Sequence, residues 1–481
     1  MEKFPESIRN TELGSRVWWS WRGIAKPSQC EEFVRYLLRA FESRNVTYIE
    51  EDGSWPIIWR SAKGVFVWDE SGKKYLDLTA AFGVAAMGHA NSQVVKAGTN
   101  QMKTLLHAMG DVHPHALKGL LAKELSQLTF EQWWYEYKKC KREKFDSTWF
   151  ESGKTIFCNS GFEAVEAALK TAFLATRKRG VIAFEGAYHG LGYGALTTTH
   201  REHFRSPFRE QLAGFSYFAN FPVTQSGLKQ TLKQIRAILR KHKIGAILVE
   251  PIQVRAGVRI PADGFLQALR AITEEKQIVL IYDEIYTGFG RTGTWFACDH
   301  QIAPPDIVCL GKALTGGFPL SACVGRATLM DAAWPPTSGE AIHTSTYLGH
   351  PVGCAMALAQ IEELHGGWSR SHEPIWEAGQ SGHFLLRRLK SIKPPQGFEI
   401  EARGKGLLAG IELKHRDGKP ATKLVLAIIK SMLHSGYILL PEGEHSNVIS
   451  FSPPLTITRR QLGNTIAALK RAIADCAKKF P

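Results

Sequence analysis

Two charged side chains, Asp283 and Lys312, each come at the end of an apolar run of the chain. Residues 278–282 form an unbroken apolar run rich in β-branched residues, which indicates a parallel strand covered on both faces. A second run, Ile307–Leu310, leads through Gly311 to the lysine. In an open α/β sheet the ligand crevice lies outside the carboxyl ends of the strands, so we expect the acid and the amine to share one crevice.

An amine and a carboxylate in one crevice are the two protein groups that pyridoxal phosphate chemistry requires. Burial among apolar groups disfavours the ammonium form of a lysine, lowers its pKa and leaves an amine that can attack an aldehyde. A carboxylate facing a flat heterocycle can keep a pyridine nitrogen protonated, which makes the ring an electron sink. The alternative, that Asp283 caps a helix and Lys312 is solvated, is weakened by the apolar run before each residue and the glycines that follow.

The segments around these two residues resemble the signature of the class III aminotransferases. They read YDEI at 282–285, TGFGRTG at 287–293, PDI at 305–307, GKAL at 311–314 and a glycine pair at 316–317. This family of pyridoxal-phosphate enzymes includes the ornithine, acetylornithine and 4-aminobutyrate aminotransferases. The resemblance covers residues 60–470. It implies that Lys312 holds the cofactor as a Schiff base, the internal aldimine, and that Asp283 contacts the ring nitrogen.

The same resemblance implies an α/β fold, that of the fold type I pyridoxal-phosphate-dependent transferases. Such a chain has a large domain around a mixed, mostly parallel seven-stranded sheet, and a smaller α+β domain built from both termini. We therefore expect an N-terminal arm and part of the small domain in residues 1–90. Residues 91–360 would form the large cofactor-binding domain, and residues 361–481 the C-terminal small domain.

A phosphate site is predicted where a short apolar strand ends at Cys158 and a long helix follows. The free N–H groups and the positive dipole end of a helix N-terminus suit an anion, and a glycine allows close approach. Ser160, Gly161 and Phe162 occupy this position. The family usually has a hydroxyl residue where this chain has Phe162, so backbone donors are retained while one side-chain hydrogen bond is in doubt.

The resemblance implies three further contacts with the cofactor. Tyr188 would stack on the cofactor ring, the alternative being a core tyrosine, and the neighbouring His189 would orient its loop. Glu250 begins an EPIQ segment that the family shares. Thr346, in the segment HTSTY, would reach the cofactor phosphate of the neighbouring subunit. A phosphate site completed in this way requires a homodimer with active sites at its interface.

Three residues are predicted to face the substrate: Phe82 in the entrance loop, Arg255 and Ser450. Ornithine and 4-aminobutyrate aminotransferases grip an α-carboxylate with an arginine and pair that arginine with a glutamate when the other substrate binds. At those two places this chain has Ser450 and Arg255. Either Arg255 holds a carboxylate from the opposite wall, or it turns to solvent or pairs with an acidic residue. Both alternatives predict a substrate pair of another type.

The function implied is an aminotransferase that moves an amino group between an amino compound and a keto acid or aldehyde. A racemase, epimerase or aminomutase would use the same lysine on the same fold and return the proton differently. A non-catalytic basic binding protein is a more distant alternative, and the presence of both Lys312 and Asp283 argues against it.

Composition limits the other classes of protein to which this chain could belong. The chain has 481 residues and a formal net charge of +15, but its basic residues are dispersed and no nucleic-acid-binding motif accompanies them. Its eight cysteines form no CxxC pair, which predicts a reducing compartment and no metal site. Lacking a signal-like or membrane-spanning apolar run, the chain is predicted to be cytoplasmic, with no membrane partner.

A tryptophan cluster at residues 18–21 would pack an N-terminal arm. An apparent insertion, residues 131–154, receives no role.

Overall fold

The structure, a computed structural model, describes residues 27–141, 151–367 and 373–480. The tryptophan cluster predicted to pack an N-terminal arm lies outside the described residues, as do residues 142–150 of the apparent insertion. Within the described ranges, no helix is both long and apolar enough to cross a membrane.

The strands are β1 (Trp59–Lys63), β2 (Phe66–Asp69), β3 (Lys74–Asp77), β4 (Gly153–Cys158), β5 (Gly180–Phe184), β6 (Ser216–Ala219), β7 (Ile244–Val249), β8 (Val279–Asp283), β9 (Ile307–Leu310), β10 (Ser321–Arg326), β11 (Phe398–Lys405), β12 (Leu408–His415), β13 (Tyr437–Ile438), β14 (Leu440–Glu442) and β15 (Val448–Phe451).

The α-helices of more than one turn in the described residues are α1 (Pro27–Phe41), α2 (Ser92–Thr104), α3 (Ala116–Ser126), α4 (Gln132–Lys141), α5 (Gly161–Thr176), α6 (Tyr193–Thr198), α7 (Gln225–Lys241), α8 (Phe265–Lys276), α9 (Ala327–Ala333), α10 (Pro351–Leu364), α11 (Pro374–Lys390), α12 (Thr422–His434) and α13 (Arg459–Ala477).

A seven-stranded sheet in the order β4-β10-β9-β8-β7-β5-β6 forms the centre of the fold. Strands β5 to β9 run parallel, whereas β10 runs antiparallel to both of its neighbours. Every residue of β5, β7, β8 and β9 is buried, as expected for strands that helices cover on both faces. The predicted fold class, with a mixed and mostly parallel seven-stranded sheet, is confirmed.

Successive residues of the central strands alternate between two apolar layers. Val279 and Ile281 of β8 lie in one layer with the alanine-rich face of α5. Leu280 and Tyr282 lie in the other, with the apolar face of α8. This two-sided packing fixes the direction of β8 and β9 and therefore the position of the residues at their carboxyl ends.

Two smaller four-stranded sheets flank the central one, in the orders β11-β12-β15-β14 and β1-β2-β3-β13. In the second of these, β13 pairs in parallel with β3, so that Asp77 lies opposite Ile438. Segments from both ends of the chain thus share one sheet. The division into domains at residues 90 and 360 remains a prediction.

The first part of the apparent insertion packs on the turn that follows β8. Trp133 of α4 is buried, its indole N–H donates to Asp299 at 2.7 Å, and its ring meets those of Phe130 and Phe296 edge-on. These contacts give this segment a packing role.

Candidate active site

A cavity of about 400 Å³ opens at the carboxyl ends of the central strands, a volume typical of small-molecule sites. Residues from the ends of β5, β7, β8 and β9 and from the start of α5 surround it. The lining residues are Gly161, Phe162, Tyr188, His189, Gly190, Leu191, Glu250, Ile252, Arg255, Asp283, Ile285, Tyr286, Thr287 and Lys312.

Asp283 is the last residue of β8 and is buried at the floor of this cavity. Its Oδ2 lies 2.8 Å from Nδ1 of His189, and its Oδ1 accepts a hydrogen bond from the backbone N–H of Ile285 at 3.1 Å. An ionised carboxylate only accepts hydrogen bonds, so His189 presents a protonated Nδ1 to it. His189 and the backbone therefore fix the orientation of the carboxylate.

Lys312 opens a short 3₁₀ turn directly after β9 and lies in the same cavity. Its φ is +35°, a backbone conformation that a residue with a side chain rarely adopts. Its Nζ is 4.7 Å from the ring centroid of Tyr286. Burial lowers the pKa of the Lys312 amine, and the nearby Asp283 partly opposes this effect. The uncharged, nucleophilic form is thus more accessible than in a solvated lysine.

The N-terminus of α5 lies at the cavity and carries a buried hydroxyl. Ser160 is the N-cap residue, but its hydroxyl makes no capping bond; Oγ is buried and has no hydrogen-bond partner among the described residues. Gly161 and Phe162 line the cavity, and first-turn N–H groups have no partner within a helix. A Cβ on Gly161 would lie 3.0 Å from the Ile285 side chain, so a larger residue would require that side chain to shift. This arrangement suits a phosphate.

Tyr188 and Glu250 hold another wall of the cavity. The carboxylate of Glu250 accepts the backbone N–H of Tyr188 at 3.1 Å, and the Tyr188 ring meets Phe204 edge-on. Burial raises the pKa of Glu250 well above its usual value, and the nearby Asp283 raises it further. Glu250 therefore anchors the loop that carries the aromatic ring.

Together these groups fit pyridoxal phosphate. They supply an amine with a lowered pKa, an oriented carboxylate, an aromatic face, and a helix N-terminus next to an unpartnered buried hydroxyl. Each corresponds to one part of the cofactor: its aldehyde, ring nitrogen, ring and phosphate.

Arg255 lines the cavity and also pairs with an acidic residue. Its Nη1 lies 3.0 Å from Oε1 of Glu442, and its guanidinium is 5.4 Å from the ring centroid of Tyr188. Burial raises the pKa of Glu442 to about 7, although Arg255 acts to lower it. Arg255 thus pairs with an acidic residue while lining the cavity, and a contact with substrate stays a prediction.

The other predicted substrate and subunit residues lie elsewhere. Ser450 is on β15, where its hydroxyl donates to the Leu440 carbonyl at 3.2 Å. Phe82 is 51% exposed, and Thr346 is also exposed. None of these three residues is among those that line the cavity.

The sequence analysis predicted no functional role for two residues of this region, Tyr286 and Glu442. Tyr286 contributes its ring to the cavity beside Lys312, and its hydroxyl lies 3.2 Å from Oγ of Ser452. It stands within the segment that carries Asp283, which is the signal that could have identified it. Glu442 lies far along the chain and belongs to none of the motifs used above.

Comparison with known proteins gives consistent matches. The model of the family Aminotransferase class-III matches residues 47–473. A putrescine aminotransferase of Pectobacterium atrosepticum is 34% identical over 429 residues, which are 88% of this chain and 82% of that protein. An acetylornithine aminotransferase of Methanosarcina mazei is 31% identical over 87% of this chain and 92% of its own. An amine transaminase from an uncultivated Pseudomonas species, solved with pyridoxal phosphate bound, superposes with a TM-score of 0.78 at 25% identity, covering 91% of this chain and 99% of its own.

Proposed function

The chain belongs to the class III aminotransferases, and from this premise we propose which residues act and which substrates they take. It is a pyridoxal-phosphate-dependent enzyme that transfers amino groups. When bound, the cofactor supplies an aldehyde that accepts the amino group and a ring that withdraws electrons from the reacting carbon.

Lys312 and Asp283 are the catalytic residues in this proposal. The Lys312 amine acts as the nucleophile and, once released, carries a proton at Nζ to and from the substrate carbon. Asp283, oriented by His189, keeps the ring nitrogen protonated through a charge-assisted hydrogen bond. The observation that carries this assignment is that both side chains line one cavity, where burial lowers the pKa of the amine.

The remaining lining groups position the cofactor. We assign the phosphate to the hydroxyl of Ser160 and the backbone N–H groups of Gly161 and Phe162. Tyr188 offers its ring, and Glu250 holds that residue in place through its backbone. Phe162 has no hydroxyl, so its contribution comes from the backbone alone.

The substrates are an amino donor and a keto-acid or aldehyde acceptor. Arg255 is placed to hold a carboxylate, because its guanidinium faces the cavity and has donors beyond the one bonded to Glu442. The relatives named above are a putrescine and an acetylornithine aminotransferase, which suggests that donors with and without an α-carboxylate belong to the family's range.

Substituting Arg255→Ala tests this assignment, with the two half-reactions measured separately in single turnovers. Binding of the acidic substrate should weaken by about 1.5–3 kcal/mol, the usual contribution of a hydrogen bond to a charged group. The half-reaction with a monoamine that lacks a carboxylate should be spared. Arg236→Ala, at an exposed arginine paired with Glu275, is the matched control and should change neither half-reaction. Equal losses in both half-reactions, or none in either, would remove Arg255 from the carboxylate site.

We also propose a two-fold homodimer in which Thr346 serves the partner's phosphate site. Two exposed apolar segments adjoin: Leu106 and Met109 lie on one and Tyr347 on the other, and His107 contacts the Tyr347 ring at 5.4 Å. Contiguous exposed apolar surface of this kind is typical of subunit interfaces. Thr346 lies within the second segment.

A mixed dimer tests the transfer of Thr346 between subunits. Thr346→Glu should weaken cofactor retention by at least about tenfold, because a second negative charge would face the phosphate. Lys312→Ala should be inactive. After the two variants are unfolded and refolded together, mixed dimers should regain activity, since one of their sites combines an intact Lys312 with an intact Thr346. A mixture no more active than Thr346→Glu alone would place Thr346 on its own subunit's site, and a monomeric mass in light scattering would exclude the dimer.

A further inference from the structure

Glu442 is a buried carboxylate, and one of its two oxygens has no hydrogen-bond donor among the described residues. It ends β14, is 2% exposed, and its Oε1 takes the single ion pair with Arg255. Its Oε2 is buried and has no hydrogen-bond partner among the described residues. A buried carboxylate oxygen without a donor is costly, so the site is arranged for a donor beyond those that the chain supplies.

The two members of this ion pair differ in how firmly they are held. The backbone of Glu442 is fixed by pairing with Val448 in the four-stranded sheet. The Arg255 side chain is 28% exposed and is held by Glu442 and by the face of the Tyr188 ring. Arg255 is thus the member that can turn toward solvent, and its departure would uncover Glu442 toward the cavity.

Two further cations act on Glu442 besides Arg255. Arg201 and Lys312 act on it at longer range, and both favour its ionised form. With Arg255 in place, this side of the cavity presents a cation that can bind a carboxylate of the substrate. With Arg255 turned away, the same side carries an open carboxylate that suits an ammonium group.

We propose that Glu442 recognises a second, cationic group on the amino donor, with Arg255 as the movable counter-ion that covers it between turnovers. The substrate class is therefore a diamine: one amino group reacts at the cofactor, while the distal ammonium donates to Glu442. This inference rests on the proposed function, in which Arg255 faces the substrate. It assigns the diamine-binding carboxylate to the end of β14.

The test compares 1,4-diaminobutane with 1-aminobutane as donors in single turnovers of the holoenzyme. In Glu442→Gln, kcat/KM for the diamine should fall by about 10- to 100-fold, as expected for loss of a charge-assisted hydrogen bond, mainly through KM. The monoamine has no distal ammonium and should be little affected. Glu444→Gln is the matched control, because Glu444 is an exposed carboxylate two residues further along the same loop.

A second readout does not depend on turnover. A diamine with two methyl groups on each nitrogen cannot form a Schiff base with an aldehyde but keeps one N–H donor on each protonated nitrogen, so its inhibition constant reports binding alone. That constant should rise by a similar factor in Glu442→Gln. It should fall in Arg255→Leu at a pH high enough to keep Glu442 ionised, because the competing cation is gone; that pH is higher than in the wild type, since Arg255 acts to lower the pKa of Glu442.

The outcomes separate this inference from the proposed function. Equal losses with diamine and monoamine would make Glu442 structural, and an unchanged diamine would remove it from the donor site. Transfer from α-amino acids but from neither amine would overturn the diamine assignment while leaving the aminotransferase intact. Absence of amino transfer from every donor would instead count against the proposed function.

Discussion

Lys312→Ala should lower the turnover of the enzyme by roughly four orders of magnitude or more, because it removes both the nucleophile and the proton carrier. The purified wild-type protein should be yellow, and borohydride should fix the cofactor covalently to the peptide that contains Lys312. Peptide mapping by mass spectrometry measures this directly.

The same labelling experiment distinguishes a lysine that merely has a lowered pKa from a lysine that also lies at the cofactor site. Burial also lowers the pKa of Lys118, so its amine shares that property with Lys312. Lys118, however, donates to the carbonyl of Gly110 and does not line the cavity. The label should therefore be absent from Lys118, and label found there or on any other lysine would refute the assignment of Lys312.

Asp283→Asn should bind the cofactor but lose about two to four orders of magnitude in turnover, if the carboxylate contributes roughly 3–5 kcal/mol in the transition state. The single amide oxygen can accept from the Ile285 backbone, and the amide NH2 can donate to Nδ1 of His189 once the imidazole proton moves to Nε2, so the contacts can be kept while the charge is lost. Cofactor retention measured by absorbance, alongside single-turnover rates, distinguishes the two effects.

Asp263→Asn provides the control for this variant, because Asp263 is an exposed carboxylate and does not line the cavity. It should leave both cofactor content and rate unchanged. An Asp283→Asn enzyme with near-normal turnover would contradict the role of the carboxylate, whereas one that fails to retain the cofactor would assign Asp283 to binding.

The meeting of Asp283 and Lys312 could be predicted because it depends on sheet topology. Parallel strands that neighbour each other end at the same edge, and β8 does pair with β9, with Ile281 opposite Ile307. The strand-to-helix connection at the proposed phosphate site could be predicted by similar reasoning, since a strand that ends at Cys158 leads to the start of α5. In both cases the signal lies within a few residues of the group concerned.

The partner of Arg255 could not be predicted in this way. Glu442 is 187 residues away along the chain, and their contact depends on how β14 and its sheet lie against the loop after β7. Ser450 illustrates a related difficulty. The sequence analysis predicted that Ser450 faces the substrate. In the structure, the strand register pairs Ser450 with Leu440, and the Ser450 hydroxyl donates to the Leu440 carbonyl.

The parallel pairing of β3 with β13 has a consequence for synthesis of the protein. Asp77 finds its partner Ile438 only after some 360 further residues have been translated, which takes roughly 20–70 s at ordinary elongation rates. Throughout that interval the β1-β2-β3 meander has an open edge, the kind of surface to which other chains add. A meander that formed before β13 was translated would therefore need chaperones or local charge to protect that edge.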